Sequence, residues 1–142
     1  GGQKKQVSIA DILVMKPDII ILDEPAAALD PKHTTMVNQI VNRMTKAGIT
    51  VFMATHDVNY AYEWADQVIL FHQGKVLMQG APEEVFSNPH VLEKTNLEPP
   101  AVLELFHSLC QKQILNPSLP LPKNLKTLEQ YISDITIDTA AK

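Results

Sequence analysis

The sequence holds a single cysteine, Cys110, in 142 residues. One thiol excludes an internal disulfide framework and fits a reducing compartment. Long apolar runs are also missing. Ile19 to Leu22, lying between two aspartates, is as long as any, far short of the roughly 20 residues a membrane-crossing helix needs. No basic stretch leads into an apolar one at the start, so no secretory leader is expected. The first residue is Gly1 rather than methionine, which suggests processing, a cut boundary or a missing upstream part. Aromatic residues are few, at 6%, and basic charge is not in excess, the net charge being −4. General affinity for nucleic acid is therefore not expected, since it rests on neutralising phosphates with lysine and arginine. What remains is 45% hydrophobic and 20% charged residues, the balance of a soluble globular chain. Its length suits one domain, or a core with a small appendage.

Composition changes along the chain. All five glycines fall within the first 80 residues, while seven of the ten prolines come later. The first 80 residues carry seven basic and eight acidic side chains, and the rest carry five and eight. A nearly neutral front is thus followed by an acidic, proline-punctuated rear. The boundary is expected near Ser87 to Pro89, giving segments 1–88 and 89–142.

Periodicity outlines the elements. Val7, Ala10 and Val14 recur at helical spacing, so Gln3 to Met15 reads as a helix ended by Pro17. Ile19 to Leu22 is a β-branched apolar run, the mark of a strand buried on both faces of a parallel sheet. Asp30-Pro31 pairs an N-cap with proline at the first helical position. The helix behind it gathers Met36, Val37, Ile40, Val41 and Met44 on one face and stops at Gly48. Thr50 to Thr55 is a second buried strand, and His56-Asp57 opens a helix through Ala65. Gln67 to Phe71 and Lys75 to Gln79 form a hairpin around His72-Gln73-Gly74. Ala81-Pro82-Glu83-Glu84 starts a short helix. In the rear, Val102, Leu105, Phe106 and Leu109 share one helical face, and Leu125, Leu128 and Ile132 another. Buried strands alternating with helices define an α/β layered fold with parallel strands.

Candidate chemistry lies where strands end. Asp23 and Glu24 directly follow the first strand, and ligand sites in parallel sheets lie outside the carboxyl ends of strands. One carboxylate there can hold a hydrated magnesium ion, and a second can orient an attacking water. Taken alone, Asp-Glu-Pro reads equally as a strand entering a turn. His56 follows the second strand. If the two strands are neighbours, His56 and Glu24 face one crevice, although a helix-entry role beside the cap Asp57 would also place a histidine here. The remaining histidines (His33, His72, His90 and His107) have no partners at ligand spacing and read as surface residues. Gly1-Gly2 before a helix N-terminus suits a phosphate, though weakly by itself.

Four stretches occur in order: Gly1-Gly2-Gln3-Lys4-Lys5, Ile19 to Pro25, Ala28-Leu29-Asp30-Pro31 and Thr55-His56-Asp57. Together they resemble the C-terminal half of an ATP-binding-cassette (ABC) transporter ATPase, a partial P-loop NTPase fold. The resemblance implies that Gly1, Gly2 and Gln3 end the signature motif and that Asp30 is the D-loop aspartate, all four contributing to nucleotide binding. It further implies that Asp23 holds Mg²⁺ through water, Glu24 polarises the attacking water and His56 contacts the γ-phosphate of ATP. Glu63 to Val68, Gly80 to Phe86, Asn96 to Pro100 and Leu103 to Leu105 are similar to the cobalt-type ATPases of energy-coupling-factor importers, over about residues 1–112. That likeness implies a helical C-terminal extension serving dimerisation and a position on the cytoplasmic membrane face. It also implies a second ATPase subunit, transmembrane coupling and substrate-binding subunits, and cobalt, nickel or another micronutrient as cargo. Within the family pattern the sequence departs at Gln6, Ala26 and Ala28. The phosphate-binding loop G-x-x-x-x-G-K-[ST] is absent from all 142 residues. The chain is therefore expected to be a fragment or one half of a split ATPase, inactive alone. The alternative is a truncated cassette serving only as an interaction module. A chromosome-maintenance cassette would need long heptad coils, and none appear.

Overall fold

The computed structural model describes residues 14, 15 and 17–140, with side chains as far as residue 135. The expected signature residues Gly1, Gly2 and Gln3, and most of the expected helix Gln3 to Met15, lie outside the described residues. The described chain divides into two compact units, meeting in sequence at His56 and Asp57.

In the first unit, β1 (Ile19–Asp23) and β2 (Thr50–Ala54) pair in parallel, with register running from Ile19↔Thr50 to Asp23↔Ala54. The crossover is α1 (Pro31–Lys46). Asp30 starts it, its side chain accepting from the N–H of His33, with Pro31 in the first turn. A Schellman motif ends it: Gly48 N–H donates to the Thr45 carbonyl and Ile49 N–H to that of Met44, both at 3.0 Å. Gly48 sits at φ +85°, where glycine alone is unstrained. Val37 and Met44 are buried, and Ile40 and Val41 pack with Met44 against Ile20 and Leu22.

One expectation fails here. β1 is buried on one face only. Ile20 and Leu22 are 5% and 9% exposed, whereas Ile19 and Ile21 are 57% and 77% exposed. Phe52, the register partner of Ile21, is 48% exposed on β2. α1 covers one side of the pair, and no layer covers the other among the described residues. A continuous apolar run states what a strand can bury, not which layers are present to bury it.

The second unit begins with α2 (Val58–Trp64), capped by Asp57, whose side chain accepts from the N–H of Tyr60. β3 (Val68–His72) and β4 (Lys75–Gly80) form an antiparallel hairpin with a register shift between Leu70 and Phe71. Its two loop residues, Gln73 and Gly74, have φ of +49° and +74°, the signs of a type I′ turn. Four helices follow: α3 (Pro82–Phe86), α4 (Pro89–Thr95), α5 (Ala101–Gln111) and α6 (Leu125–Ala140). Among the described residues, no helix is long and apolar enough to cross a membrane.

The boundary read from composition at Ser87 to Pro89 is not where the packing breaks. Tyr62, Val85 and Phe86 share one core with Leu103, Phe106 and Leu128, from both sides of that boundary. Three of the seven late prolines stand at helix starts, while Pro117, Pro120 and Pro122 lie in the connection between α5 and α6. Pro82 and Pro89 open α3 and α4, and Pro100 is the N-cap of α5. The two rear stripes pack against each other, with the Phe106 and Tyr131 rings 6.5 Å apart. On α6 the buried side is Leu128 with Tyr131 and Ile135, while Leu125 and Ile132 are exposed. On α5, Leu105 turns outward while Val102 and Phe106 are buried.

Candidate functional site

Parallel pairing brings the ends of β1 and β2 abreast, since Asp23 lies beside Ala54. The next residues are Glu24 and then Thr55 and His56. The expectation that Glu24 and His56 would share one crevice is met directly. His56 donates its backbone N–H to Glu24 Oε1 at 2.9 Å, and its ring Nδ1 lies 2.5 Å from the same oxygen. Thr55 Oγ1 donates to Glu24 Oε2 at 3.0 Å. Both carboxylate oxygens are therefore engaged by two consecutive residues of the neighbouring strand. The His56 hydrogen bond, with help from Thr55, lowers the Glu24 pKa below the ordinary carboxylate value, against the opposing effect of burial. An ionised Glu24 accepts only, so Nδ1 of His56 carries the hydrogen and Nε2 is the outer nitrogen of a largely exposed ring.

Glu24 pays conformationally for this position. Its φ is +43°, a left-handed geometry uncommon for any residue but glycine, and it precedes Pro25, which disfavours compact conformations there. Such a backbone costs of order 1–3 kcal/mol and persists only when neighbours over-determine it. Here the Glu24 N–H donates to Ala54 O at 2.9 Å, and its carbonyl accepts from Ala27 N at 3.1 Å. Ala28 is likewise left-handed, at φ +59°. The loop from Glu24 to Asp30 thus holds two strained non-glycine residues.

Asp23 ends β1 with an exposed side chain. Its chemistry fits Mg²⁺, which takes oxygen ligands and keeps several waters. Among the described residues no group of three or more His, Cys, Asp or Glu could cage an ion, so any magnesium here would be held mainly by water and substrate oxygens. Asp30 caps α1 and bonds to His33, not to the Glu24 cluster. Its Oδ1 accepts His33 N–H at 3.0 Å, and its Oδ2 lies 2.6 Å from His33 Nδ1. The backbone N–H and ring of His33 lower the Asp30 pKa.

Two partners escaped the sequence reading. His33 reads in the sequence as a surface residue with no partner at ligand spacing, and the structure shows it closing a two-point contact on Asp30. Its position three residues after a cap, where capping-box side chains reach back, was the available signal. Thr55 reads in the sequence only as a strand end. Its adjacency to His56 was the clue, because register fixes both against Glu24.

No protein-family model matches the chain. Relatives are plentiful nonetheless. The energy-coupling factor transporter ATP-binding protein EcfA2 of Methanospirillum hungatei is 39% identical over 132 residues, 93% of this chain and 33% of that protein. Among solved structures, CbiO1 of Clostridium perfringens, part of the ABC transporter complex CbiONQ, matches with a TM-score of 0.57 and 40% identity. That match covers 78% of this chain and 43% of CbiO1. The ADP conformation of another ABC transporter cassette matches with a TM-score of 0.61 and 27% identity, over 69% of this chain and 40% of that one. With the paired parallel strands and the acidic strand end, these likenesses define the class: the chain belongs to the ATP-binding-cassette ATPases. Within that class it is similar to the ATP-binding proteins of energy-coupling-factor and cobalt-type transporters. It spans only a third to under half the length of these relatives.

Proposed function

We propose that these residues form the Walker B, D-loop and H-loop part of an ATPase subunit that energises an energy-coupling-factor importer. The observation that carries this reading is the Glu24 carboxylate, held ionised by Thr55 and His56 where two parallel strands end. An ionised, oriented carboxylate can polarise a water for attack on a phosphate. His56 Nε2 points outward from the same cluster and suits a γ-phosphate contact. Asp23 would hold Mg²⁺ through its waters, and the ion would supply charge neutralisation for the triphosphate. Gly1, Gly2, Gln3 and Asp30 would complete the site from the signature and D-loop, with ATP shared between two cassettes. The transported cargo is proposed to be cobalt, nickel or another micronutrient, on the strength of the cobalt-type relative. Membrane subunits and a second ATPase subunit, at the cytoplasmic membrane face, follow from the same likeness.

The test is ATP turnover in an assembly that supplies the phosphate-binding loop. Glu24→Gln keeps size and hydrogen bonding and is expected to retain ATP binding while losing turnover by about a hundredfold or more. Near wild-type hydrolysis by this variant sinks the assignment. A second reading, a non-catalytic interaction module, is favoured by one observation: G-x-x-x-x-G-K-[ST] occurs nowhere in the 142 residues. Without the loop's N–H cradle and lysine, the triphosphate lacks its main holding groups. Calorimetry is expected to detect no micromolar Mg-ATP binding to these 142 residues alone. Turnover restored by an added loop-bearing segment favours the first reading, and continued inactivity favours the second.

A further inference from the structure

We infer that the outward face of α2 is a docking surface for a protein segment that presents arginine or lysine side chains. This face lies outside the strand-end cluster and does not depend on the ATPase reading. α2 has two sides. Tyr62 sits in the core of the second unit, with Val58, Ala61 and Ala65 packed against that core. Tyr60 and Trp64, one helical turn apart, stack on each other away from it, with ring centroids 6.4 Å apart and planes 30° apart. Trp64 is 44% exposed, although tryptophan is on average a well-buried residue. Exposed tyrosine and tryptophan are the side chains most often found as anchors of protein interfaces.

Charge selects the partner. Between Lys46 and Lys75 the sequence has no lysine or arginine, but it has Asp57, Glu63 and Asp66. Two of these carboxylates act on the aromatic pair. With burial as the larger cause, the negative charges of Asp57 and Glu63 raise the Tyr60 phenol pKa. α2 also ends without a basic residue in its last turn, so its own sequence supplies no cation to offset the negative potential of its final carbonyls. The neighbouring element carries the same sign. Asn59 Oδ1, in the first turn of α2, accepts the Ala101 N–H at 2.8 Å and so holds the start of α5 beside it. The charged residues around that start are Glu98 and Glu104, both exposed. An aromatic face rimmed by carboxylates attracts a guanidinium or ammonium through the ring quadrupole and through charge together. A metal ion is a poorer fit, because among the described residues no group of three or more His, Cys, Asp or Glu could hold one. An anionic membrane surface or a nucleic acid would be repelled by the same carboxylates.

Trp64 is the single tryptophan of the chain, so its fluorescence reports on this face directly. The probe is a peptide of alternating arginine and glycine, titrated into the 142-residue chain at low ionic strength, with a glutamate–glycine peptide of equal length as control. The arginine peptide is expected to give a saturable change in Trp64 emission that weakens with added salt, and the glutamate peptide none. Glu63→Gln removes one rim charge, and Tyr60→Leu keeps every charge but removes one ring. Each is expected to raise the dissociation constant about threefold. Glu129→Gln, an equal charge change on the exposed surface of α6, is expected to leave it unchanged. Should Tyr60→Leu lose the native amide spectrum, Trp64→Leu with a calorimetric readout carries the same expectation. Equal weakening by Glu63→Gln and Glu129→Gln would reduce the binding to net charge and overturn the inference. So would a folded ring variant that binds as tightly as wild type, or an arginine peptide that leaves Trp64 emission unmoved. Vesicles of phosphatidylcholine with phosphatidylserine are expected to leave the emission unchanged. A blue shift with vesicles and no response to the peptide would assign the face to a membrane and overturn the inference as well.

Discussion

Two carboxylates, Glu24 and Asp30, are each gripped by a histidine, and the grip has a consequence for acid stability. The His56 hydrogen bond lowers the Glu24 pKa from its ordinary 4.5, and the backbone N–H and ring of His33 lower that of Asp30 from 3.8. A carboxyl group with a depressed folded-state pKa contributes stability that is fully present above its unfolded value. That contribution is lost as pH falls through the folded value. The stability of the first unit is therefore expected to hold down to about pH 5 and to decline below the ordinary carboxylate range. Urea unfolding across that interval should show a shallower decline in His33→Ala with His56→Ala than in wild type. Parallel curves would remove the histidines from the account. Gly48 offers a second check at this scale. A Cβ placed there meets nothing within 4 Å, so the cost of Gly48→Ala is conformational alone. The left-handed penalty for an L-residue, less the gain from a stiffer unfolded chain, leaves a loss of about 1 kcal/mol. At Gly80 a Cβ would meet Glu84 Oε2 at 2.8 Å, but that atom ends a flexible side chain, and φ there is not left-handed. Gly80→Ala is expected to stay within about 0.5 kcal/mol of wild type, a contrast that thermal unfolding can read.

Among the elements, what local chemistry dictates was legible, and what depends on neighbours was not. Asp30-Pro31, Asp57 and Gly48 mark α1 and α2 through capping groups that act within a few residues. The Gln73-Gly74 hairpin follows in the same way from backbone sign. The burial of β1 could not be read, because Ile19 and Ile21 are as apolar as Ile20 and Leu22. Only the absence of a second covering layer among the described residues separates them. The proline-rich rear misled for a related reason, since a proline at a helix start and a proline in a linker look alike in composition. On α6 the apolar residues Leu125, Leu128, Tyr131, Ile132 and Ile135 admit two faces, and packing against α5 chooses Leu128, Tyr131 and Ile135. In the site, Glu24 and His56 were legible because strand order alone brings them together. Thr55 and His33 carry weaker signals, adjacency to His56 for the one and the third position after a cap for the other, and neither by itself names the carboxylate it bonds. The packing of α5 on α6 also changes what a substitution would report. Phe106 is 2% exposed, so Phe106→Glu places an unpaired charge inside the core of the second unit. That variant is expected to lose the cooperative unfolding of this unit altogether, measured by helical circular dichroism. It is therefore unsuitable as a probe of subunit contact. A stable, cooperatively folding Phe106→Glu protein would contradict the α5–α6 packing.

For the molecule as a whole, the exposed faces of the two hairpin or strand pairs set solution behaviour. On β1 and β2, Ile19, Ile21 and Phe52 stand exposed at 57%, 77% and 48%. On the β3–β4 hairpin, Phe71 and its register partner Val76 are exposed at 66% and 53%. Contiguous apolar patches of this kind are uncommon on soluble monomers. The edges of a two-stranded sheet add unpaired backbone groups that can template pairing with another chain. The 142-residue chain is therefore expected to associate, with a light-scattering mass that rises through the micromolar range. The rear helices are a weaker route, because their main apolar stripes are spent on each other, leaving Leu105, Leu125 and Ile132 outward. Two variants distinguish the routes without touching either core. Ile21→Thr with Phe52→Thr keeps β-branched or strand-compatible character at exposed positions, and is expected to lower the associated mass at equal concentration without lowering the unfolding temperature. Leu105→Glu is expected to leave the mass unchanged. The opposite pattern, dissociation by Leu105→Glu and none by the threonine pair, would assign association to the helical extension. A strictly monomeric wild-type mass at high micromolar concentration would reject both routes.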